Sequence, residues 1–273
     1  MNPPHPSSPP PARGPAPRRS TLHAVLSVIG RNVGSFHAAL GTYLVLALAA
    51  IFAATAAFAF MADEVMEGGT QKFDESVLLW MNAHASRTLT GLALEVTSLG
   101  SGAVVIMTLL VSSAFLWVSR HRYSVLLLWV AVVGQEVLNL ALKTRFDRPR
   151  PRLFPWRTPM TSGQSFPSGH AMTSMVVYLT LAYLIARLEP GVGLRRATFA
   201  VAGVLIVLIG LSRMYLGVHY PSDVVAGYAA GFAWATFCAL GIEAVQHFRA
   251  KKPEVEEHEK DLRTAAPPVS DGA

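Results

Sequence analysis

Six stretches of this chain are almost free of charge, at 38–62, 103–119, 123–142, 171–186, 197–211 and 224–242. A helix that crosses a bilayer needs about 17 to 25 mainly apolar residues, so the pattern predicts an all-α fold, a polytopic membrane bundle of about six transmembrane helices. The fourth and fifth stretches are short by that measure. Arg187 and Arg196 extend them, because long basic side chains bury their stems and place the charge at the interface. Two further segments carry weaker patterns: 22–36 suits an amphipathic lead-in helix, and 74–97 suits an outer interfacial segment with Leu78, Leu79, Trp80 and Leu92 toward lipid.

The polar ends complete the organisation. Residues 1–19 are rich in proline and lack the apolar region of a cleaved signal peptide, so the first span anchors the chain and the segment before it is expected to be a disordered cytoplasmic tail. From 250 to 273, charges of both signs alternate with proline and alanine, as in a solvated tail. The expected division is a disordered or amphipathic segment over 1–35, a six-helix membrane domain over 36–248, and a disordered charged tail over 249–273. No internal repeat is evident. Composition agrees with a membrane setting: 52% of residues are hydrophobic and 15% charged, against roughly 25% charged in soluble domains. Cys238 stands alone within the last span and is expected to be a small buried hydrophobe, without a disulfide framework.

Lysine and arginine placement orients the bundle. With six spans and the N-terminus inside, Arg13, Arg18, Arg19, Arg31, Arg120, Arg122, Arg187, Arg195, Arg196 and the basic residues after Arg249 lie on the inner side. The outer side holds Lys72, Arg87, and a concentration between Lys143 and Arg157 together with Arg213. The positive-inside rule therefore places both termini in the cytoplasm. The outer concentration needs its own explanation.

Three motifs supply it: Lys143-x6-Arg150-Pro151, Pro167-Ser168-Gly169-His170, and Ser212-Arg213-x5-His219-x3-Asp223. Prolines in 145–151 prevent helix continuation, so Lys143 and Arg150 sit at a helix end. Pro167 suits the first position of the next helix, whose opening amides at Ser168, Gly169 and His170 would be free donors of the kind that bind phosphate. Asp223, in the first turn of the last helix, can reach back to His219 and fix its tautomer, leaving the other ring nitrogen free to attack. Three cations, small residues and two histidines form an inventory for phosphoryl transfer through histidine. Glu136 and Asn139 share a helix face with Lys143 and are expected to support it as interior hydrogen-bonding partners. Arg145, Arg148, Arg152 and Arg157 are expected to anchor the loop or attract anions rather than to act chemically.

Over about 73–244 the chain resembles the type 2 phosphatidic acid phosphatase superfamily of membrane lipid phosphatases, with every signature residue of the three motifs present. The resemblance implies hydrolysis of a membrane lipid phosphate, such as phosphatidate, phosphatidylglycerophosphate or undecaprenyl diphosphate, at the periplasmic or extracellular face. In the implied mechanism His219 attacks phosphorus, Asp223 orients it, and His170 protonates the leaving oxygen. Lys143, Arg150, Arg213, the Ser168 hydroxyl and the Gly169 amide bind the phosphate. No cofactor, metal or nucleic acid is expected, and the partners are the lipid substrate and the bilayer.

Alternatives remain open on the residues alone. A zinc triad of two histidines and an aspartate is disfavoured by the surrounding cations, and soluble haloperoxidases that hold vanadate in a similar site do not share this apolar chain. A phosphotransferase would use the same pocket with a different acceptor. A non-catalytic phospholipid-binding protein would need the cations but not His219 with Asp223. The extra loop arginines favour a diphosphate substrate, and the motifs do not choose the lipid or the oligomeric state.

Overall fold

The structure, a computed structural model, describes residues 21–159, 163–188 and 191–265, with side chains described over 41–159, 163–188 and 191–246. Eight helices follow one another: α1 (Thr21–Met66), α2 (Gln71–Ala83), α3 (Arg87–Ser98), α4 (Gly102–Val118), α5 (Arg122–Phe146), α6 (Gly169–Leu188), α7 (Val192–Tyr215) and α8 (Pro221–Ala265). There is no strand among the described residues. The chain divides into two compact units, Met1–Val45 and Leu46–Ala273. In the first, the described residues are the opening part of α1. The second carries everything that follows.

Five helices are long and apolar enough to cross a membrane, or six if α3 and α4 count as one span bent by 44°. The second span expected at 103–119 is helical as α4, and the bent pair extends it backwards through α3. The break falls where Ser101 turns extended before α4 and where Gly100 packs tightly: a Cβ on it would lie 3.0 Å from Ile209 and 3.2 Å from the His170 ring. The two stretches expected to be short are full spans, at 20 residues for α6 and 24 for α7. The 22–36 stretch is helical and continuous with the first span. Backbone helix in α8 also runs through 249–265, part of the stretch expected to be a disordered tail; mixed charges at helical spacings are compatible with a solvated helix. The remainder of both expected tails, 1–20 and 266–273, lies outside the described residues.

The core of the second unit is organised around α6, which packs against α5, α7 and α8. Burial ranks the helices: half of the residues of α6 are buried, whereas over Gly41–Met66 only Ala47, Ala62 and Val65 are. Outward-facing Phe52, Phe60, Trp117, Val118, Val137, Leu140 and Phe237 are exposed in the manner of a lipid-facing surface. Membrane helices associate through small residues because lipid removes the hydrophobic driving force between them. Here Gly227 and Gly231, one turn apart on α8, let the α6 backbone approach: a Cβ would lie 2.8 Å from the Ser168 carbonyl oxygen at the first and 2.8 Å from that of Met172 at the second. Polar contacts tie the remaining helices. Trp234 Nε1 donates to the Ala131 carbonyl at 2.8 Å, over Gly134, and the Tyr228 hydroxyl donates to that of Ile206 at 2.7 Å, beside Gly210.

The α6–α8 approach predicts an asymmetry between glycines. Gly231→Leu forces side-chain atoms against a backbone carbonyl and should lower the melting temperature in detergent, with overpacking costing about 1–3 kcal/mol or more. Gly203, on α7, has nothing within 4 Å of a Cβ, so Gly203→Ala should be neutral or stabilising by up to about 1 kcal/mol. Equal effects of the two substitutions in a thermal-shift assay would contradict the packing.

Candidate active site

The three motifs meet at one end of the helix bundle, where α5 and α7 finish and α6 and α8 begin. Lys143 lies in the last turn of α5 and donates from Nζ to the Gln164 carbonyl at 2.7 Å. The chain then leaves the helix through Asp147, whose φ of 43° is left-handed and whose amide closes on the Lys143 carbonyl. Asp147 therefore ends α5, and the proline-rich residues after it hold Arg150 across the bundle end. Its Nε donates to the Gly163 carbonyl at 3.1 Å and its Nη1 to the Val218 carbonyl at 2.9 Å. Arg213, in the last turn of α7, donates from Nη1 to Thr97 Oγ1 on α3 at 2.9 Å. All three cations are thus fixed by neutral oxygens.

His219 sits on the short link between α7 and α8. The link turns at Gly217, where φ is +80° and a Cβ would lie 2.6 Å from the Phe154 ring, so both conformation and space favour glycine there. The ring of His219 is oriented from both sides. Arg150 Nη1 lies 3.1 Å from Nε2, and a guanidinium can only donate, so Nε2 holds a lone pair and the imidazole proton is on Nδ1. That nitrogen faces Asp223 Oδ2 at 3.4 Å, longer than an ordinary hydrogen bond, with the ring N–H turned toward the carboxylate charge. Burial pushes the His219 ring down to about 4, against the opposing pull of Asp223. The Arg150 guanidinium is likewise lowered by burial, opposed by the Asp223 charge.

The second motif arrives through α6. Helix α6 begins at Gly169, two residues later than Pro167 would place it. Ser168 occupies the cap position: its carbonyl accepts from the Met172 amide at 3.0 Å, and its own amide donates to the Asp223 carbonyl at 3.0 Å. The Ser168 amide is therefore not the free donor expected of it. Its hydroxyl, by contrast, is buried without a partner within the protein, as is Arg213 Nε. His170, half-buried beside Gly100, lies within electrostatic reach of Arg213, His219, Arg150 and Lys143. Asn139 abuts Gly169, where a Cβ would come 3.0 Å from its Nδ2. Glu136 accepts from Thr173 Oγ1 at 3.3 Å. Both sit behind the start of α6.

Asp74, Thr97 and Ser222 carry no signal of their role in the sequence, and Arg148 carries only that of a basic loop residue. Arg148, expected to be a loop anchor, is buried and bridges Asp223 Oδ1 at 2.6 Å and Asp74 Oδ2 at 2.9 Å. Ser222 donates to Asp74 through both its amide (3.0 Å) and its hydroxyl (2.5 Å). Thr97 completes the Arg213 contact. Asp74 and Thr97 are far from the motifs in the chain, and only a buried acid on a loosely patterned helix could have drawn attention. Arg157 is also structural: it donates to the Tyr215 carbonyl at 2.8 Å and to Asn82 Oδ1, with its guanidinium over the Phe154 and Tyr215 rings.

The family model described as the PAP2 superfamily matches residues 124–246, a stretch that includes all of these side chains except Asp74, Asn82 and Thr97. Phosphatidylglycerophosphatase B of Bacillus subtilis (strain 168) is 30% identical over 200 residues, covering 71% of this chain and 95% of that one. The chain belongs to the PAP2 superfamily. The undecaprenyl-diphosphatase of Sulfolobus acidocaldarius is 30% identical over 183 residues, 65% of this chain and 82% of its own length. Among solved structures, the transmembrane PAP2-type phosphatidylglycerolphosphate phosphatase from Bacillus subtilis superposes with a TM-score of 0.67 at 26% identity, covering 71% of this chain and 96% of that one. This PAP2 protein is accordingly a multi-pass membrane phosphatase, a phosphoric ester hydrolase.

The buried setting of His219 gives a titration that can be measured. Its pKa lies below the ordinary 6.5, so the ring should remain neutral as pH falls through 6.5 and take up its second proton only near pH 4. Histidine-labelled protein in detergent, compared with the His219→Gln variant to assign the signal, should show this ring titrating near 4 by NMR. A midpoint near 6.5 would contradict the geometry.

Proposed function

We propose that this protein hydrolyses the phosphate of a membrane lipid through a covalent phosphohistidine, without a metal ion. The observation that carries the reading is the state of His219: Arg150 at Nε2 and Asp223 beyond Nδ1 define a neutral imidazole with its lone pair on the side of the cations. His219 Nε2 attacks phosphorus while the bond to the lipid oxygen breaks, and His170 gives that oxygen a proton. Water then attacks the phosphohistidine, His170 takes the proton, and the P–N bond breaks to release inorganic phosphate. Asp223 stabilises the Nδ1 proton during both steps. Lys143, Arg150 and Arg213, with the Ser168 hydroxyl and the amide of Gly169, hold the equatorial oxygens, where electrostatic stabilisation contributes most in phosphoryl transfer. General acid action by His170 contributes roughly 10² to 10⁴-fold.

The cations themselves support metal independence, since three positive side chains around one position repel a divalent ion. Lipid specificity is supported by an apolar cavity of about 550 Å³ between α2, α3 and α7, lined by Trp80, Leu92, Val96, Leu208, Leu211 and Ser212. Ser212 adjoins Arg213 and Val96 adjoins Thr97 along the chain, so the cavity borders the two helices joined by the Arg213–Thr97 hydrogen bond. Arg148 and Arg157 are engaged with protein acceptors, which leaves exposed Arg145 and Arg152 as the extra loop arginines that favour a diphosphate. The phosphatidylglycerophosphatase relative nonetheless makes that phosphomonoester the first candidate, ahead of phosphatidate and undecaprenyl diphosphate. With the termini in the cytoplasm, as the basic residues favour, the site would face the periplasm or cell exterior.

Purified protein in detergent with EDTA should release phosphate from phosphatidylglycerophosphate faster than from a soluble phosphate ester. His219→Ala should lower the rate on the order of 10³-fold or more while leaving the melting temperature close to wild type. Labelled substrate should leave an acid-labile, alkali-stable phosphoryl group on the wild type alone. Loss of activity on chelation, or full activity of His219→Ala, would overturn the reading.

A further inference from the structure

We propose that Arg148 is a positioning residue for the reaction: it aims the Asp223 carboxylate at His219, and it is itself held in place by Asp74 of α2. The proposal rests on His219 and Asp223 being the attacking pair. Arg148 belongs to none of the phosphate-holding set, and its two terminal nitrogens are both engaged. Nη1 donates to Asp223 Oδ1 at 2.6 Å and to Ser222 Oγ at 2.8 Å. Nη2 donates to Asp74 Oδ2 at 2.9 Å and to Gln71 Oε1 at 3.3 Å. The guanidinium plane rests 4.1 Å over the Tyr220 ring, so its rotation is restricted as well as its position.

The consequence falls on the other oxygen of Asp223. With Oδ1 captured by Arg148, Oδ2 is left to the Tyr220 amide at 2.9 Å and to His219 Nδ1 at 3.4 Å. Arg148 thereby decides which carboxylate oxygen meets the histidine. Asp74 acts one step further out. It accepts from the Ser222 amide and hydroxyl, so it caps the start of α8 from another helix while gripping Arg148. The chain of contacts runs from Asp74 to Arg148 to Asp223 to His219, and every member is at least nine-tenths buried. The titratable and charged groups that face Asp223 are His219 from the α7–α8 link, Arg148 from the loop after α5, and, at longer range, Arg150 on the same loop and Lys143 on α5. Of these, Arg148 is the cation that bonds to the carboxylate, through Nη1, while Nη2 of the same guanidinium holds Asp74. A planar guanidinium holds two carboxylates in a fixed relative geometry, which a flexible ammonium with freely rotating donors does not impose.

A double-mutant cycle separates positioning from mere support of the fold. Wild type, Arg148→Gln, Asp223→Asn and the double variant would be purified at full length in detergent and assayed with phosphatidylglycerophosphate in mixed micelles. Arg148→Gln should lower kcat roughly ten- to a hundred-fold, the loss usual when a buried partner that orients a working side chain is removed, with KM within about two-fold of wild type. In the Asp223→Asn background the same substitution should cost less than about three-fold, because residues acting as one unit are not additive. Equal losses in both backgrounds, a raised KM with unchanged kcat, or wild-type kcat in Arg148→Gln would overturn the proposal. Should Arg148→Gln fail to fold, Arg148→Lys enters the same cycle: it keeps the charge but loses the fork, so its kcat should also fall and wild-type kcat would sink the idea. Absence of phosphate release from the wild type would instead refute the phosphatase reading beneath it.

Discussion

Positive charge that cannot be cancelled by acids is the constraint around which this bundle end is built. Lys143, Arg150 and Arg213 converge on one region, and each is held by carbonyl or hydroxyl oxygens rather than by a carboxylate. The two buried acids nearby are committed elsewhere: Asp74 to Arg148 and Ser222, and Asp223 to Arg148, Tyr220 and His219. Dipolar oxygens fix the cations in space without neutralising them. The net result is a pre-formed positive field, and such a field stabilises the developing charge of a phosphoryl group because little reorganisation is left for the moment of reaction.

The helices make that arrangement possible by delivering polar groups at their ends and apolar surface along their lengths. The glycine pair of α8 brings its backbone against α6, and with it the start of one helix against the start of the other. The amide of Ser168 then reaches the carbonyl of Asp223. Two motifs far apart in sequence are joined backbone to backbone, so their relative geometry does not depend on side-chain rotamers. By contrast, α2 and α3 meet the site through side chains, Asp74 and Thr97.

Much of this was legible in the sequence because periodic and local signals carried it. Apolar length marked the spans, and each motif kept its charged residues within a few positions of a helix end. What escaped was everything decided by tertiary contact. Arg148 and Arg157 look like any basic loop residue until Asp74, Asn82 and Tyr215 close on them. The bend between α3 and α4 depends on Gly100 meeting His170 and Ile209, neither near it in the chain. The start of α6 was misplaced for a similar reason: Pro167 could have opened the helix, but the Asp223 carbonyl captures the next amide and makes Ser168 the cap.

The partnerless donors Ser168 Oγ and Arg213 Nε, together with the three uncancelled cations, have a consequence for how the protein persists as well as for how it reacts. Buried donors without partners and like charges in proximity both oppose folding. Any anion that satisfies them is bound by the folded chain and not by the unfolded one, so occupancy and folding are thermodynamically linked. On the proposed function, the inorganic phosphate released by turnover is such an anion. The concentration of its own product would then set part of the free-energy gap between the native bundle and its unfolded states.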